Sequence, residues 1–464
     1  MATTISRGGV RRHGARHRWV ILAVGVGAQG SFAAMFSGIP VTGIAMRSGY
    51  HLSTGALGVV LACLGLGVAV SDLVWGLLTD RYGDRRILLT GLTATGAVLA
   101  LMSATVTPAD GAGIVALGAS LLVAGALGGS VNGASGRAVM TWFADGERGL
   151  AMSIRQTAIP AGGAVGVALL PWLAETYGFR AVYAAPAAFC LLAAASTWRW
   201  LHEPDHTPTP GTGAGADPGA GPAAVQGADP GAGPKADPAV GPEKRPQAPP
   251  SPSPSPSPSP SPSASPSAGT LRSPLRRWDV WRLALSCALL TVPQFAVLSF
   301  TAIFLHDVKG GGATLASVTV MIAQIGGGAA RIWTGRRTDR RGGRRAYLRG
   351  IGALTGIAMA AAAVLTDAPT PVTVAALALG GLLANSWHGV AYTEIADMAG
   401  AARAGTALGL LGTALFGAGF LTPLLIPAVL GHTSWEVVWA LTAALSLLAI
   451  PLAPGRPRAT TPAR

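Results

Sequence analysis

Acidic residues are scarce: 20 Asp and Glu stand against 34 Lys and Arg in a chain of 464 residues. The four charged types together reach 12%, about half of what a soluble globular protein carries. This length would suit roughly three soluble domains at about 150 residues each, but their surfaces need more charge than this to stay hydrated. Only three cysteines occur, Cys63, Cys190 and Cys287, each inside an apolar run. That excludes a secreted disulfide framework and a thiolate metal site. The eight histidines form no cluster with carboxylates; His13 and His17 lie near the start, and His202 and His206 flank a polar stretch. No GxxxxGK[ST] loop is present, so nothing supports ATP-driven work. No catalytic residues, no metal site and no cofactor are expected.

Apolar residues and glycine are abundant instead, at 50% of the chain and 64 residues respectively. A helix that crosses a bilayer needs about 20 apolar residues, because it must span about 30 Å while bonding its own backbone. Twelve such runs are predicted, at 19–38, 55–79, 87–106, 112–136, 154–173 and 181–200, then at 281–305, 314–335, 346–366, 371–393, 404–430 and 435–453. The expected fold class is therefore an all-α polytopic membrane protein. The basic stretch from Arg7 to Arg18 reads as the flank of an uncleaved first helix, since no small-residue cleavage site closes the run after it.

The net charge of +14 would suit nucleic acid were it spread over a surface. Here Lys and Arg concentrate between apolar runs, and with the N-terminus inside only Arg47, Arg180 and Lys309 fall outside. By the positive-inside rule both termini are expected in the cytoplasm, in a multi-pass inner-membrane protein that contacts lipid and not nucleic acid. A monomer is expected. Residues 201–278 carry ADPGAGP-like repeats and an SPSPSP run with almost nothing to bury, so they are predicted to be a disordered cytoplasmic linker. The division is then a tail at 1–18, bundles at 19–200 and 279–453, the linker, and a tail at 454–464.

One motif occurs twice. Gly76, Asp80, Arg81, Gly83, Arg85 and Arg86 follow the second run; Gly335, Asp339, Arg340, Gly342, Arg344 and Arg345 follow the eighth, each 259 residues on. Such a match at the same place in each half implies two pseudo-symmetric six-helix bundles. The glycines permit close helix approach and a sharp reversal. The aspartates can accept from backbone N–H groups or pair with arginine across the seam, and the arginines anchor the loops at an anionic membrane face.

With these loops, both halves of the chain resemble the major facilitator superfamily of secondary transporters. The stretch from Asn132 through Arg137, Arg148 and Arg155 to Gly163 is similar to the fourth-to-fifth helix region of bacterial members. The resemblance implies alternating access between two bundles. It also implies a latch in which Asp80 and Arg81, with Asp339 and Arg340, hold the outward-open state. Residues 159–163 read Ile-Pro-Ala-Gly-Gly, which departs from the G-P-x-x-G-G element of drug antiporters.

Polar groups inside the runs are expensive and so are functional candidates. Gln29, Gln294 and Gln324 stand near the middle of the first, seventh and eighth runs. Asp72 and Arg331 are related by the same 259-residue offset, and each lies about 12 Å inward of its loop aspartate at 1.5 Å per residue. Asp72 reads either as a proton-coupling carboxylate or as the partner of Arg155 or Arg137; Arg331 reads as an anion contact or as a snorkelling side chain. Asn132 and His388 occupy corresponding places in the fourth and tenth runs, with Asn385 a turn earlier; Arg155 and Gln156 open the fifth. Glu394 and Asp397 read as balancing charge for Arg403 or the latch.

The expected function is secondary transport of a small solute, an organic or inorganic anion in the first reading, with protons or another ion as coupling partner. Proton-coupled efflux of amphipathic compounds is the alternative, and a non-transporting sensor or scaffold or a membrane-embedded enzyme the readings from other classes.

Overall fold

A computed structural model describes residues 16–202, 273–311 and 313–455. The linker reading and both tail readings fall largely outside those residues. The first half contains α1 (His17–Val41), α2 (Gly43–Gly49), α3 (Thr54–Tyr82), α4 (Asp84–Thr105), α5 (Ile114–Gly128), α6 (Ser130–Trp142) and α7 (Arg148–Trp200). The second contains α8 (Trp278–Lys309), α9 (Ala313–Arg341), α10 (Arg344–Val364), α11 (Thr370–Asn385), α12 (His388–Ala399), α13 (Ala404–Leu430) and α14 (Trp435–Leu452). No strand occurs among the described residues.

The apolar runs become helices because a backbone in lipid has no other way to satisfy its polar groups. Many large apolar side chains face outward, among them Val74, Ile325, Leu354 and Leu425, as a lipid-facing surface requires. Eleven helical stretches among the described residues are long and apolar enough to cross a membrane. One of them, α7, has 53 residues, which at 1.5 Å each is more than twice a bilayer core. Gly178 divides it with φ 74° and ψ −173°, a conformation that suits glycine. The Arg180 carbonyl then accepts from Ser103 at one end of the bundle, and the Trp198 carbonyl accepts from Arg85 at the other. α7 therefore supplies both the fifth and the sixth crossings, which makes twelve among the described residues.

Two predicted runs differ in detail. The fourth is interrupted at Gly129 between α5 and α6, and the tenth at Ser386–Trp387 between α11 and α12. Both breaks stand beside the polar residues singled out above.

The first and last described residues share one end, where Arg345 donates to the Gly455 carbonyl and Arg18 pairs with Glu147. This end also carries both arginine loops and is called the basic end. The buried residues of one apolar cluster all come from the first half, including Phe32, Leu64, Leu121 and Tyr183, with Phe416 of the second half packed against them; those of another come from the second, including Phe304, Met359 and Trp439. A third crosses the seam at the basic end, joining Leu22, Val139, Phe143 and Met152 to Leu283, Trp387, Ile395 and Leu408. The two halves thus share a core at the basic end.

Candidate functional site

The repeated loops close that end by one device used twice. Asp80, at the end of α3, accepts from the backbone N–H groups of Gly405 and Thr406 at 2.8 and 2.7 Å. Asp339, at the end of α9, accepts from those of Gly149 and Leu150 at 2.9 and 2.7 Å. Each carboxylate therefore caps the N-terminus of a helix in the opposite half, where orphan donors and the helix dipole favour negative charge. Gly76 and Gly335 let the seam close. A Cβ on Gly405 would stand 2.7 Å from the Gly76 carbonyl oxygen, and one on Gly149 would stand 2.9 Å from that of Gly335. Gly83 and Gly342, both with positive φ, turn the chain beyond the caps.

The arginines divide their work differently from the sequence reading. Arg81 and Arg340 are exposed and stand outside the clamp; Arg81 lies over the Tyr82 ring at 5.4 Å. Arg137 approaches the first clamp, with Asp84 at 2.8 Å and Asp80 at 3.5 Å. Arg344 bridges Asp339 and Asp397, Arg345 binds Glu394, and Arg148 adds Asp397 across the seam at 3.2 Å. Asp397 and Glu394 thus balance loop arginines other than Arg403. Arg85 holds the Trp198 carbonyl, whereas Arg86 is exposed.

Above the clamp lies a polar layer with near-mirror organisation. In the first half Gln29 donates to Asn132 Oδ1 at 2.9 Å, and Asn132 Nδ2 donates to Asp72 Oδ2 at 3.2 Å. In the second half Gln294 donates to Asn385 Oδ1 at 2.9 Å, and Arg331 Nη2 donates to that same oxygen at 3.0 Å. Each triad takes a glutamine from the half's first crossing, an asparagine from its fourth and an ion from its second. The sequence pairs Asn132 with His388; the structure gives that part to Asn385. His388 instead stacks on Trp387, ring centroids 3.9 Å apart, because the break before α12 turns both rings together.

Arg155 serves the first triad. It donates to Gln29 Oε1 at 2.8 Å, the Asn132 carbonyl at 2.6 Å, Ser135 Oγ at 2.7 Å and Gln156 Oε1 at 2.9 Å. It also faces the Tyr392 ring of the other half at 5.8 Å. Asp72 is near enough for electrostatic attraction to Arg155, but its hydrogen bond goes to Asn132. Arg137, the other partner considered for Asp72, lies with the loop carboxylates.

Arg331 does not snorkel. Its side chain is 2% exposed and reaches across the seam, giving Nη1 to the Gln156 carbonyl at 3.0 Å. All its acceptors are neutral, and among the described residues it makes no salt bridge. Gln294 is the least buried member of its triad, at 8%. Gln324 lies two turns from Arg331 on the same face of α9, half-buried and away from the basic end.

Sequence reasoning did not single out Ser135, Tyr392 or the break that releases the Asn385 carbonyl. A tyrosine one turn beyond His388, inside the tenth apolar run, was the signal available for Tyr392. Ion pairs outside the membrane follow ordinary chemistry: Asp110, near the opposite end, is held below the usual carboxylate range by the Thr107 hydroxyl and then by Arg180.

A sequence profile of the Major Facilitator Superfamily matches residues 24–421. An uncharacterized MFS-type transporter of Mycobacterium tuberculosis is 27% identical over 440 residues, covering 95% of this chain and 85% of the relative. A probable galactarate/D-glucarate transporter of Bacillus subtilis is 24% identical over 170 residues, 37% of each chain. The crystal structure of the human organic anion transporter MFSD10 superimposes with a TM-score of 0.67 at 15% identity, covering 94% of this chain and 99% of that one.

Proposed function

This chain belongs to the Major Facilitator Superfamily, and we propose that it carries a small anion across the membrane by alternating access. It is a multi-pass secondary transporter and not an enzyme. The anion reading rests on one observation, the charge of the buried layer. Two arginines and one aspartate share it, Asp72 offsets Arg155, and Arg331 keeps a positive charge with only neutral acceptors. A buried charge met only by neutral dipoles attracts a mobile counter-ion strongly. The name of the partial Bacillus relative, which refers to two sugar acids, agrees with this reading.

In the proposed cycle the basic end faces the cytoplasm, in keeping with the positive-inside rule. The structure then corresponds to the state closed inside, and a solute enters from the opposite face past Gln324 and Gln294. An anion that engages Arg331 draws the guanidinium away from its neutral acceptors, and with it the bond to the Gln156 carbonyl that crosses the seam. Its loss weakens the closed layer, the Asp80 and Asp339 caps separate from their helices, and the basic end opens.

A second reading has its own observation. A recess of about 330 Å³ between α8, α13 and α14 is lined by Leu289, Val292, Leu421, Leu425 and other apolar groups, a surface suited to amphipathic compounds. Both readings are tested by flux into vesicles of reconstituted protein, with labelled organic anions and cationic dyes, with and without a proton gradient. Saturable anion flux that disappears in Arg331→Gln supports the anion carrier. Dye flux that follows the proton gradient and fails in Asp72→Asn overturns it in favour of efflux.

A further inference from the structure

Arg331 presents the Nε–Nη2 edge of its guanidinium to a single residue. Nε donates to the Asn385 main-chain carbonyl at 2.5 Å and Nη2 to Asn385 Oδ1 at 3.0 Å. Two oxygens from one residue on one edge of the fork reproduce the bidentate pattern in which arginine binds a carboxylate. The arrangement depends on a local defect. The Asn385 carbonyl is available because α11 ends there and Ser386–Trp387 interrupt the helix before α12 begins. The side-chain orientation is fixed independently, since Asn385 Nδ2 donates to the Gly381 carbonyl at 2.9 Å and Oδ1 also accepts from Gln294.

The corresponding residue of the first half is not used this way. Asn132 turns its amide toward Asp72, and its own carbonyl receives a single bond from Arg155. Two polar side-chain atoms of the residues bonded to this pair are buried without a partner in bonding geometry. Gln156 Nε2 is buried without an acceptor in bonding geometry and is directed toward the Tyr392 hydroxyl; Gln294 Oε1 is buried without a donor.

We propose that the Nε–Nη2 edge of Arg331 is a carboxylate-binding site and that Asn385 occupies it in this conformation as a built-in substitute. A substrate carboxylate displaces both Asn385 oxygens and brings the negative charge that asparagine lacks. A planar, two-oxygen anion fits this edge. The released Asn385 sits at the joint between α11 and α12, so binding frees the segment that the closed state holds. This inference rests on the anion reading and narrows it to carboxylates.

Asn385→Asp tests it in the full-length protein. The substitution places a tethered carboxylate on the same two nitrogens. Purified protein is melted in detergent with acetate, benzoate, succinate or D-glucarate, and with phosphate and sulfate at matched ionic strength. The wild type should be stabilised by at least one carboxylate and less by the tetrahedral anions. Asn385→Asp should melt higher without any anion and should need about tenfold or more carboxylate for the same stabilisation, since charge-assisted bonds exceed neutral ones by that order. Asn385→Ser, which removes the side-chain oxygen from the fork without adding charge, should respond at lower carboxylate concentration. A carboxylate response unchanged in both variants overturns the inference while leaving anion transport intact. Stabilisation by phosphate or sulfate alone overturns the carboxylate class. Absence of any anion response in the wild type, together with dye flux, overturns the underlying anion reading as well.

Discussion

The two polar triads use the same residue types on the same crossings yet hold opposite charges. In the first half Gln29 and Asn132 support a carboxylate, Asp72; in the second Gln294 and Asn385 support a guanidinium, Arg331. The first is further supported by Arg155, which brings its own positive charge. At the seam, Arg331 meets the polar main chain of Gln156, whereas Asp72 meets Gly412, a Cβ on which would collide with the carboxylate. The same scaffold thus makes one layer that is nearly neutral and closed, and one that keeps a surplus charge. The first is suited to holding structure or a proton, the second to receiving an anion.

This contrast is broken most severely at Arg155. Arg155→Gln leaves Asp72 buried without its compensating charge and should destabilise the protein by about 3–5 kcal/mol, measured by melting in detergent. Adding Asp72→Asn should restore the part of that loss owed to the uncompensated carboxylate and leave the part owed to the bonds with Gln29, Asn132, Ser135 and Gln156. Arg331→Gln removes no acidic group's partner, so it should cost less stability than Arg155→Gln. Equal losses for the two single variants would contradict the assignment of roles.

The clamps should behave as equals. Asp80→Asn and Asp339→Asn each weaken one helix cap, a change of about 1 kcal/mol, which shifts the population toward states open at the basic end roughly fivefold. Single cysteines at positions 341 and 403 should label faster in both variants, to a similar degree. Labelling that rises in only one would show that the repeat is unequal in function.

The smallest effect is expected away from the seam. Asp110 bonds to the Thr107 hydroxyl and to Arg180, and its carboxyl is held below the ordinary range. A lowered native value contributes stability above the unfolded carboxylate value, near pH 4, and that contribution fades as pH falls. The melting temperature of Asp110→Asn should therefore approach that of the wild type as the medium is acidified. A gap that widens on acidification would refute the assignment.

Much of this organisation was legible in sequence. Twelve crossings, their two-fold arrangement and the paired loops follow from apolar run length and one constant offset. Asp72 and Arg331 also follow, because ions within apolar runs are conspicuous. The triads were not legible. Gln294 and Asn385 lie 91 residues apart, and nothing local shows that an amide on one helix faces an amide on another. Asn132 and His388 do share the fourth and tenth runs, but nothing local shows that Asn385, before the break at Ser386–Trp387, is the residue that meets Gln294. Gly178 was equally concealed: the sequence suggests a gap between the fifth and sixth runs, while the turn itself needs only one glycine. Arg81 and Arg340 were grouped with their neighbouring aspartates by motif, but adjacent residues on a helix point in different directions.

The central claim is that Arg331 supplies the charge that a transported anion answers. It is tested most directly by carboxylate counterflow in vesicles of reconstituted protein, comparing wild type, Arg331→Gln and Asp72→Asn on the same day and at matched incorporation. The account predicts counterflow in the wild type, at least about a hundredfold loss in Arg331→Gln as a charge-assisted bond pair is removed, and retained counterflow in Asp72→Asn. Undiminished counterflow in Arg331→Gln would contradict it.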